Sequence, residues 1–210
     1  MADLSKVREA VISGNEKAAA ATVKEALAAG VDPVVVVTDG VSPAMAEVGK
    51  RFECGEAFVP ELLIASRATK AIFEIIRPLL AKKGAQPVGR VVVGTVQGDL
   101  HDIGKNLVVA LLEGGGFEVT DLGVNVTPEK FVQAAKEKNA QVVGLSALLT
   151  TTMPAMKATV DALKSAGLKD KVKVMIGGAP VTRTFADEVG AEGYGETAAA
   201  AVGIAKKLIS

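Results

Sequence analysis

The residues best suited to chemistry lie in one short segment, Gly98 to Asn106, which contains the chain's single histidine. Carboxylates at Asp99 and Asp102 flank His101, and the β-branched run at 90–96 before it predicts a buried strand. Loops at the carboxyl ends of parallel strands are where α/β proteins place ligand sites. A carboxylate two residues before a histidine can accept one ring proton and leave the other nitrogen with a free lone pair. This pattern is typical of a metal ligand or a base, although a lone histidine can also cap a helix or satisfy its own backbone.

Spacing excludes or disfavours three other kinds of site. A Walker phosphate loop needs four residues between its glycines and a hydroxyl after its lysine, whereas five residues separate Gly98 from Gly104 and Asn106 follows Lys105. A zinc site made only of protein ligands needs three or four of them, and the chain offers one histidine and one cysteine. Ser146 lacks the G-x-S-x-G elbow of a nucleophilic serine. The pattern that remains favours a single imidazole bound to a metal whose other ligands come from a macrocycle.

Composition narrows the class of protein. Basic and acidic residues number 24 each and only 3% of the 210 residues are aromatic, which argues against nucleic acid as a partner. Cys54 stands alone, so no intramolecular disulfide can form, and the first residues lack the features of a signal peptide. No apolar run approaches the roughly 20 residues that span a bilayer. We therefore expect a cytoplasmic protein without a membrane partner.

The first part of the chain, residues 1–84, predicts a small bundle of helices. Asp3, Asn15 and Asp32 each precede a helical pattern and can cap it. Residues 34–37 have the β-branched composition of a strand, but the Asp-Pro start before them and Gly40 after them favour a short buried helix. The longest predicted helix begins at Pro60 and contains Pro78 near its end.

The second part, residues 90–210, predicts an α/β domain joined to the bundle by a linker at 84–89 rich in Gly, Ala, Gln and Pro. Strand patterns at 91–96, 118–122, 142–146, 172–176 and 192–194 alternate with four helical patterns. Alternation of this kind is typical of right-handed βαβ units with a parallel sheet covered on both faces. The fold class is thus an N-terminal helical bundle followed by a doubly wound Rossmann- or flavodoxin-like domain.

Three sequence elements together resemble a known family. The segment from Asp99 to Gly104 matches the D-x-H-x-x-G signature of cobalamin-binding domains, the segment from Ser146 to Leu148 matches their S-x-L element, and Gly177-Gly178 matches their later G-G. Residues 55–62 resemble the start of the last helix in the helical cap that precedes this domain in methionine synthase and in corrinoid proteins of methyltransferase systems. The resemblance covers nearly the whole chain and is greatest to the small free-standing corrinoid proteins.

The resemblance implies a cobalamin or related cobamide bound with its own nucleotide base detached, with His101 as the lower axial ligand of cobalt. Asp99 would hydrogen-bond the far ring nitrogen, and Thr152 stands where methionine synthase has a serine that completes this relay. Ser146 and the two glycines would line the slot for the nucleotide tail, and Phe58 and Leu62, which are otherwise ordinary bundle core, would cover the upper face of the corrin. The implied cofactor-binding set is completed by Gly98, Leu100, Asp102, Ile103, Gly104, Leu148 and Thr150.

The implied function is that of a carrier with no catalytic residues of its own. It would accept a methyl group on cobalt from a methyltransferase specific for a donor such as a methylamine or a methoxy-aromatic compound, and deliver it to a second methyltransferase. A reductive activase is a further implied partner. Two alternatives are a cobalamin-dependent sensor, for which the neutral helical part shows no basic recognition helix, and the cofactor subunit of a cobalamin mutase, which ordinarily lacks such a cap.

Overall fold

The computed structural model describes residues 3–82 and 86–210, and they fall into two compact units. The first unit contains the described residues up to Val88 together with 110–116, and the second contains 89–109 and 117–210. The division between Val88 and Gly89 falls within the predicted linker at 84–89, of which residues 84 and 85 lie outside the described residues.

The first unit is helical, as its sequence predicts. Its elements are α1 (Ser5–Ile12), α2 (Glu16–Ala28), α3 (Pro33–Val35), a π-helical turn (Val36–Val41), α4 (Ser42–Glu53) and α5 (Val59–Lys82). Two of the three predicted caps form: Asn15 accepts from the backbone N–H of Ala18, and Asp32 accepts from that of Val34. The N-cap of α1 is Leu4 instead, and Asp3 accepts from the backbone N–H of Ser5. The strand-like residues 34–37 are helical, because the cap at Asp32 and the proline after it start a helix that β-branched propensity does not override.

Helix α5 organises this unit and packs against α1, α2 and α4. Small and apolar side chains on its inner face, among them Ala65, Ala68 and Ile72, are completely buried. The helix continues past Pro78 to Lys82. Burial of this long face, rather than helix propensity alone, is what stabilises the bundle.

The second unit contains the predicted parallel sheet. Its strands are β1 (Arg90–Thr95), β2 (Glu118–Asp121), β3 (Val142–Ser146), β4 (Lys173–Gly177) and β5 (Gly193–Gly195), all parallel, in the order β2-β1-β3-β4-β5. This is the flavodoxin-like order of a doubly wound sheet, in which ligands bind where the strand order reverses, at the carboxyl ends of β1 and β3. A ligand site is therefore expected at the loops after these two strands.

Five helices connect or follow the strands: α6 (Ile103–Gly114), α7 (Pro128–Glu137), α8 (Met153–Ser165), α9 (Arg183–Val189) and α10 (Ala200–Ile209). The sequence predicts four of them and misses α9, which has only seven residues and is started by the Thr182 cap on the N–H of Phe185. The core of the unit includes Val92, Val143, Phe131 and Met156, which come from the sheet, from α7 and from α8. Among the described residues, no helix is both long enough and apolar enough to cross a membrane.

Candidate functional site

The His101 loop leaves the sheet at the end of β1 and turns sharply before α6 begins. Gly98 adopts φ of +85°, a left-handed conformation that glycine takes without steric cost. Asp99 follows it and is completely buried, whereas the side chain of His101 is 50% exposed. The loop therefore holds a carboxylate inside the protein and presents an imidazole at its surface.

One oxygen of Asp99 holds His101 at two points. Oδ1 accepts from the backbone N–H of His101 at 3.0 Å and lies 2.8 Å from its ring Nδ1. An ionised carboxylate only accepts hydrogen bonds, so Nδ1 carries the ring proton and Nε2 keeps its lone pair. The ring is thus oriented with its basic nitrogen available to a ligand.

The other oxygen of Asp99 reaches the loop after β3. Oδ2 accepts from the backbone N–H groups of Leu148 at 2.8 Å and Leu149 at 3.3 Å, and from the hydroxyl of Thr152 at 2.8 Å. The same hydroxyl lies 2.9 Å from the carbonyl oxygen of Leu149, so its one proton has two acceptors within reach. The contact between Asp99 and Thr152 that the resemblance implies is present.

These contacts determine the charge of Asp99. Burial by itself raises the pKa of the carboxyl, but the hydrogen bonds from the backbones of His101 and Leu148 and from the side chains of His101 and Thr152 outweigh it. The pKa of Asp99 is therefore held well below its ordinary value of 3.8. A buried, ionised carboxylate that accepts from five donors is a stable anchor for the imidazole of His101.

The surface around His101 is unusually apolar for exposed loops. Leu100 is 71% exposed on the same loop and Ile103 is 68% exposed at the start of α6, and Leu148 and Leu149 are more than 40% exposed after β3. A Cβ atom added at Gly104 would meet no other atom within 4 Å, so the surface at the start of α6 is open. Exposed apolar side chains grouped at one edge of a sheet are typical of a ligand-binding surface.

The other predicted residues lie at neighbouring strand ends or on the following loops. Ser146 is paired in register with Thr95 on one side and with Gly177 on the other, and Thr150 is exposed. Gly178 has φ of +136°, and a Cβ there would lie 1.8 Å from the carbonyl oxygen of Ala147. Close approach of the two backbones is thus a sufficient structural reason for that glycine.

Asp102 has a local role. It is exposed, and its Oδ2 accepts from the amide of Asn106 one turn later in α6. Its backbone carbonyl accepts from the N–H of Asn106, which places Asp102 at the N-cap position directly before the first residue of α6.

The two predicted residues of the helical unit differ in exposure. Phe58 is 66% exposed, and its backbone N–H is held by the side chain of Glu61 at 2.8 Å, the reciprocal half of a capping box at the start of α5. Leu62 is completely buried, so the structure favours the core role for this residue over the covering role. The covering role of both residues over a corrin stays a prediction.

Sequence reasoning missed three residues that hold the loop. The hydroxyl of Thr95 donates to the carbonyl oxygen of His101 at 2.9 Å, and the side-chain oxygen of Asn125 accepts from the N–H of Gly98 at 2.8 Å. Lys105 is 2% exposed and pairs with Asp121 at the end of β2. One signal was available for the first: Thr95 is a polar residue in a strand that otherwise consists of valines and a glycine after Arg90.

The donor set fits a macrocyclic metal cofactor. Among the described residues, no group of three or more His, Cys, Asp or Glu side chains could hold a metal ion by itself. The site instead offers one imidazole nitrogen of His101. The other ring nitrogen is hydrogen-bonded to the carboxylate of Asp99, and apolar side chains surround the ring. Such a site can add one axial ligand to a metal that brings its other ligands with it.

Comparisons with known proteins agree with this geometry. Models of B12 binding domains match residues 89–203 and residues 4–77. Trimethylamine corrinoid protein 1 of Methanosarcina acetivorans is 44% identical over 197 residues, which cover 93% of this chain and 91% of that protein.

Two solved structures extend the comparison. The crystal structure of a novel cobalamin-binding protein from Desulfitobacterium hafniense superposes with a TM-score of 0.80 at 35% identity and covers all of both chains. A chain of the methanol:cobalamin methyltransferase complex MtaBC from Methanosarcina barkeri superposes with a TM-score of 0.84 at 32% identity, covering 98% of this chain and 79% of that one.

Proposed function

This chain belongs to the family of corrinoid proteins with B12 binding domains, and on that premise we propose that it carries methyl groups between two methyltransferases. The observation that carries the proposal is the half-exposed His101, whose Nδ1 is held by buried Asp99 and whose Nε2 is left free among exposed apolar side chains. The relatives add the process: one is named for trimethylamine, and another belongs to a complex named for methanol:cobalamin methyltransferase.

The bound corrinoid would supply a cobalt centre able to take up and release a methyl group, and the protein's contribution is to hold and orient it. We infer that His101 is the lower axial ligand, with the cofactor's own nucleotide base detached. Asp99 keeps the ring proton at Nδ1 and so keeps Nε2 basic. The hydroxyl of Thr152 donates to the far oxygen of Asp99 and stabilises its negative charge.

The apolar residues of the two loops would contact the corrin. Burial of the exposed side chains of Leu100, Ile103 and Leu148 against the corrin would contribute favourably to the free energy of binding. Ser146, Gly177 and Gly178 would line the slot for the nucleotide tail, since they lie at or directly after the carboxyl ends of the adjacent strands β3 and β4. Phe58, which is exposed, is the contact that we propose from the helical unit.

We propose three protein partners. Two are methyltransferases, one specific for the methyl donor and one that serves the acceptor, and the third is a reductive activase. The carrier itself has no assigned catalytic residue. Its domains are proposed to be the helical cap at 1–84 and the cobalamin-binding domain at 90–210.

The axial ligand is tested by reconstitution with a corrinoid. His101→Ala is expected to shift the visible spectrum to that of a form without imidazole, whereas Asp161→Asn, in an exposed ion pair on α8, serves as the control and leaves it unchanged. An unchanged spectrum in His101→Ala refutes the axial assignment.

The carrier function is tested separately by methyl transfer. Reconstituted protein is assayed with methylamines and methoxy-aromatic compounds as donors and cell extract as the source of methyltransferases. Donor-dependent methylation of the carrier supports the proposal, and its absence with every donor in a competent extract refutes it.

A further inference from the structure

Thr95 is an exception in the strand to which it belongs. It ends β1 after Val91, Val92, Val93 and Gly94, and its side chain is completely buried. Burying a hydroxyl costs free energy unless it finds a hydrogen-bond partner, and valine has nearly the same shape without that cost. A buried threonine at this position therefore depends on what its hydroxyl binds.

The partner of that hydroxyl is the backbone of the residue proposed as the metal ligand. Thr95 Oγ1 donates to the carbonyl oxygen of His101 at 2.9 Å. The donor itself is held in place, because Thr95 is paired in register with Ser146 of β3. In addition, its N–H donates to the carbonyl oxygen of Gly123 at 2.9 Å and its carbonyl accepts from the N–H of Val126 at 3.0 Å, both in the segment after β2. The bond thus runs from a strand fixed by its neighbour to a loop that is not part of the sheet.

His101 is consequently restrained at three separate groups. Asp99 Oδ1 holds its backbone N–H and its ring Nδ1, and Thr95 holds its carbonyl oxygen. The bonds from Asp99 orient the start of the residue and the ring, whereas the bond from Thr95 orients the peptide that leads into α6. Without it, His101 keeps the two bonds from Asp99 but its backbone loses the hydrogen bond to β1.

We propose that Thr95 is a positioning residue that holds His101 in the geometry required for axial ligation, through its buried hydroxyl. The inference rests on the proposed function, since it takes His101 as the ligand of the bound corrinoid. It assigns to the last residue of β1 a role outside the D-x-H-x-x-G segment.

The test uses a matched pair of variants in the full chain reconstituted with a corrinoid. Thr95→Val keeps the shape and removes the hydroxyl, and Thr95→Ser keeps the hydroxyl and removes the methyl group. Visible spectra give the equilibrium between imidazole-coordinated and uncoordinated corrinoid, and urea unfolding of the unloaded proteins gives their stability. Loss of one net hydrogen bond is expected to reduce that equilibrium constant about two- to tenfold in Thr95→Val, with Thr95→Ser close to the wild type.

The outcomes separate this inference from the proposed function. His101→Ala is measured alongside, and an unchanged spectrum there refutes the axial assignment itself. If His101→Ala shifts the spectrum and Thr95→Val coordinates like the wild type, the hydroxyl is merely structural and the inference is overturned, whatever the change in stability. Equal losses in Thr95→Ser and Thr95→Val also overturn it, because the shape and not the hydroxyl would then matter. Should Thr95→Val fail to fold, Thr95→Ala replaces it with the same two readouts.

Discussion

Replacing Asp99 by asparagine gives the most discriminating test of the site, because the two residues have the same shape and different hydrogen-bonding capacity. The carboxylate accepts five hydrogen bonds, two at Oδ1 from His101 and three at Oδ2 from the loop after β3. An amide can place an oxygen on only one of these sides and must place an NH₂ group on the other.

The two orientations of the amide have different costs. With NH₂ towards the β3 loop, the N–H groups of Leu148 and Leu149 both lose their acceptor, although Thr152 can turn its hydroxyl to accept. With NH₂ towards His101, one backbone N–H loses its acceptor, and the imidazole can still pair by accepting at Nδ1. The second orientation loses fewer bonds, so we expect it to predominate.

That orientation reverses the tautomer of the ring. When Nδ1 accepts from the amide, the ring proton moves to Nε2, which then has no lone pair for a metal. A lost hydrogen bond to a charged group is worth about 1.5–3 kcal/mol, and the bonds that remain become neutral. We therefore expect the free energy of unfolding to fall by about 3 kcal/mol, which corresponds to a decrease in Tm of roughly 6–12 °C for a chain of this size.

The assay combines nitrogen NMR with urea unfolding of the unloaded protein. His101 is the single histidine in the chain, so its two ring nitrogens can be assigned without ambiguity. Asp161→Asn in the exposed pair with Lys157 is the control and should change stability by less than about 0.5 kcal/mol. If Asp99→Asn retains the proton on Nδ1 and the stability of the wild type, Asp99 does not determine the tautomer and the reasoning is wrong.

Three further predictions concern the same loop. Because the pKa of Asp99 is depressed in the folded protein, its contribution to stability is complete above about pH 4 and declines as the pH falls below 3.8. The difference in free energy of unfolding between the wild type and Asp99→Asn, measured by urea unfolding at decreasing pH, should therefore shrink below that pH. A difference that stays constant contradicts the assignment. Asn125→Gly keeps the left-handed backbone (φ of 53°) but removes the acceptor of the Gly98 N–H, so hydrogen exchange of that amide should accelerate, whereas Asn125→Asp should retain its protection. Asp121→Asn should destabilise the protein by about 2 kcal/mol in urea unfolding, because the buried ammonium of Lys105 loses its charged partner. Lys105→Met should destabilise it by less, because the more exposed carboxylate of Asp121 can be hydrated. The reverse order would show that the pair is held by other contacts.

Much of the fold follows from local patterns. The Asp32 cap with Pro33 outweighed the strand-like composition of residues 34–37, and the four long helical patterns of the second unit each form a helix close to the predicted bounds. The sequence does not predict helix α9, because seven residues are too few to display a helical period. A single capping residue such as Thr182 is not informative either, since threonine is also common in turns that start no helix. The seven-residue helix is stabilised instead by burial of Ala186 and Val189 against the rest of the unit.

The sequence by itself determined the chemistry at His101: one imidazole, a carboxylate two residues before it, and a loop at the end of a parallel strand. These features are local, because two residues in one turn meet whatever the rest of the chain does. The tertiary structure decided which other groups form hydrogen bonds to Asp99, to His101 and to the loop that contains them. Thr152 lies 53 residues from Asp99 and Asn125 lies 27 residues from Gly98. Contacts between distant residues depend on strand order and register, which in a parallel sheet are set by the packing of the whole unit rather than by any one segment.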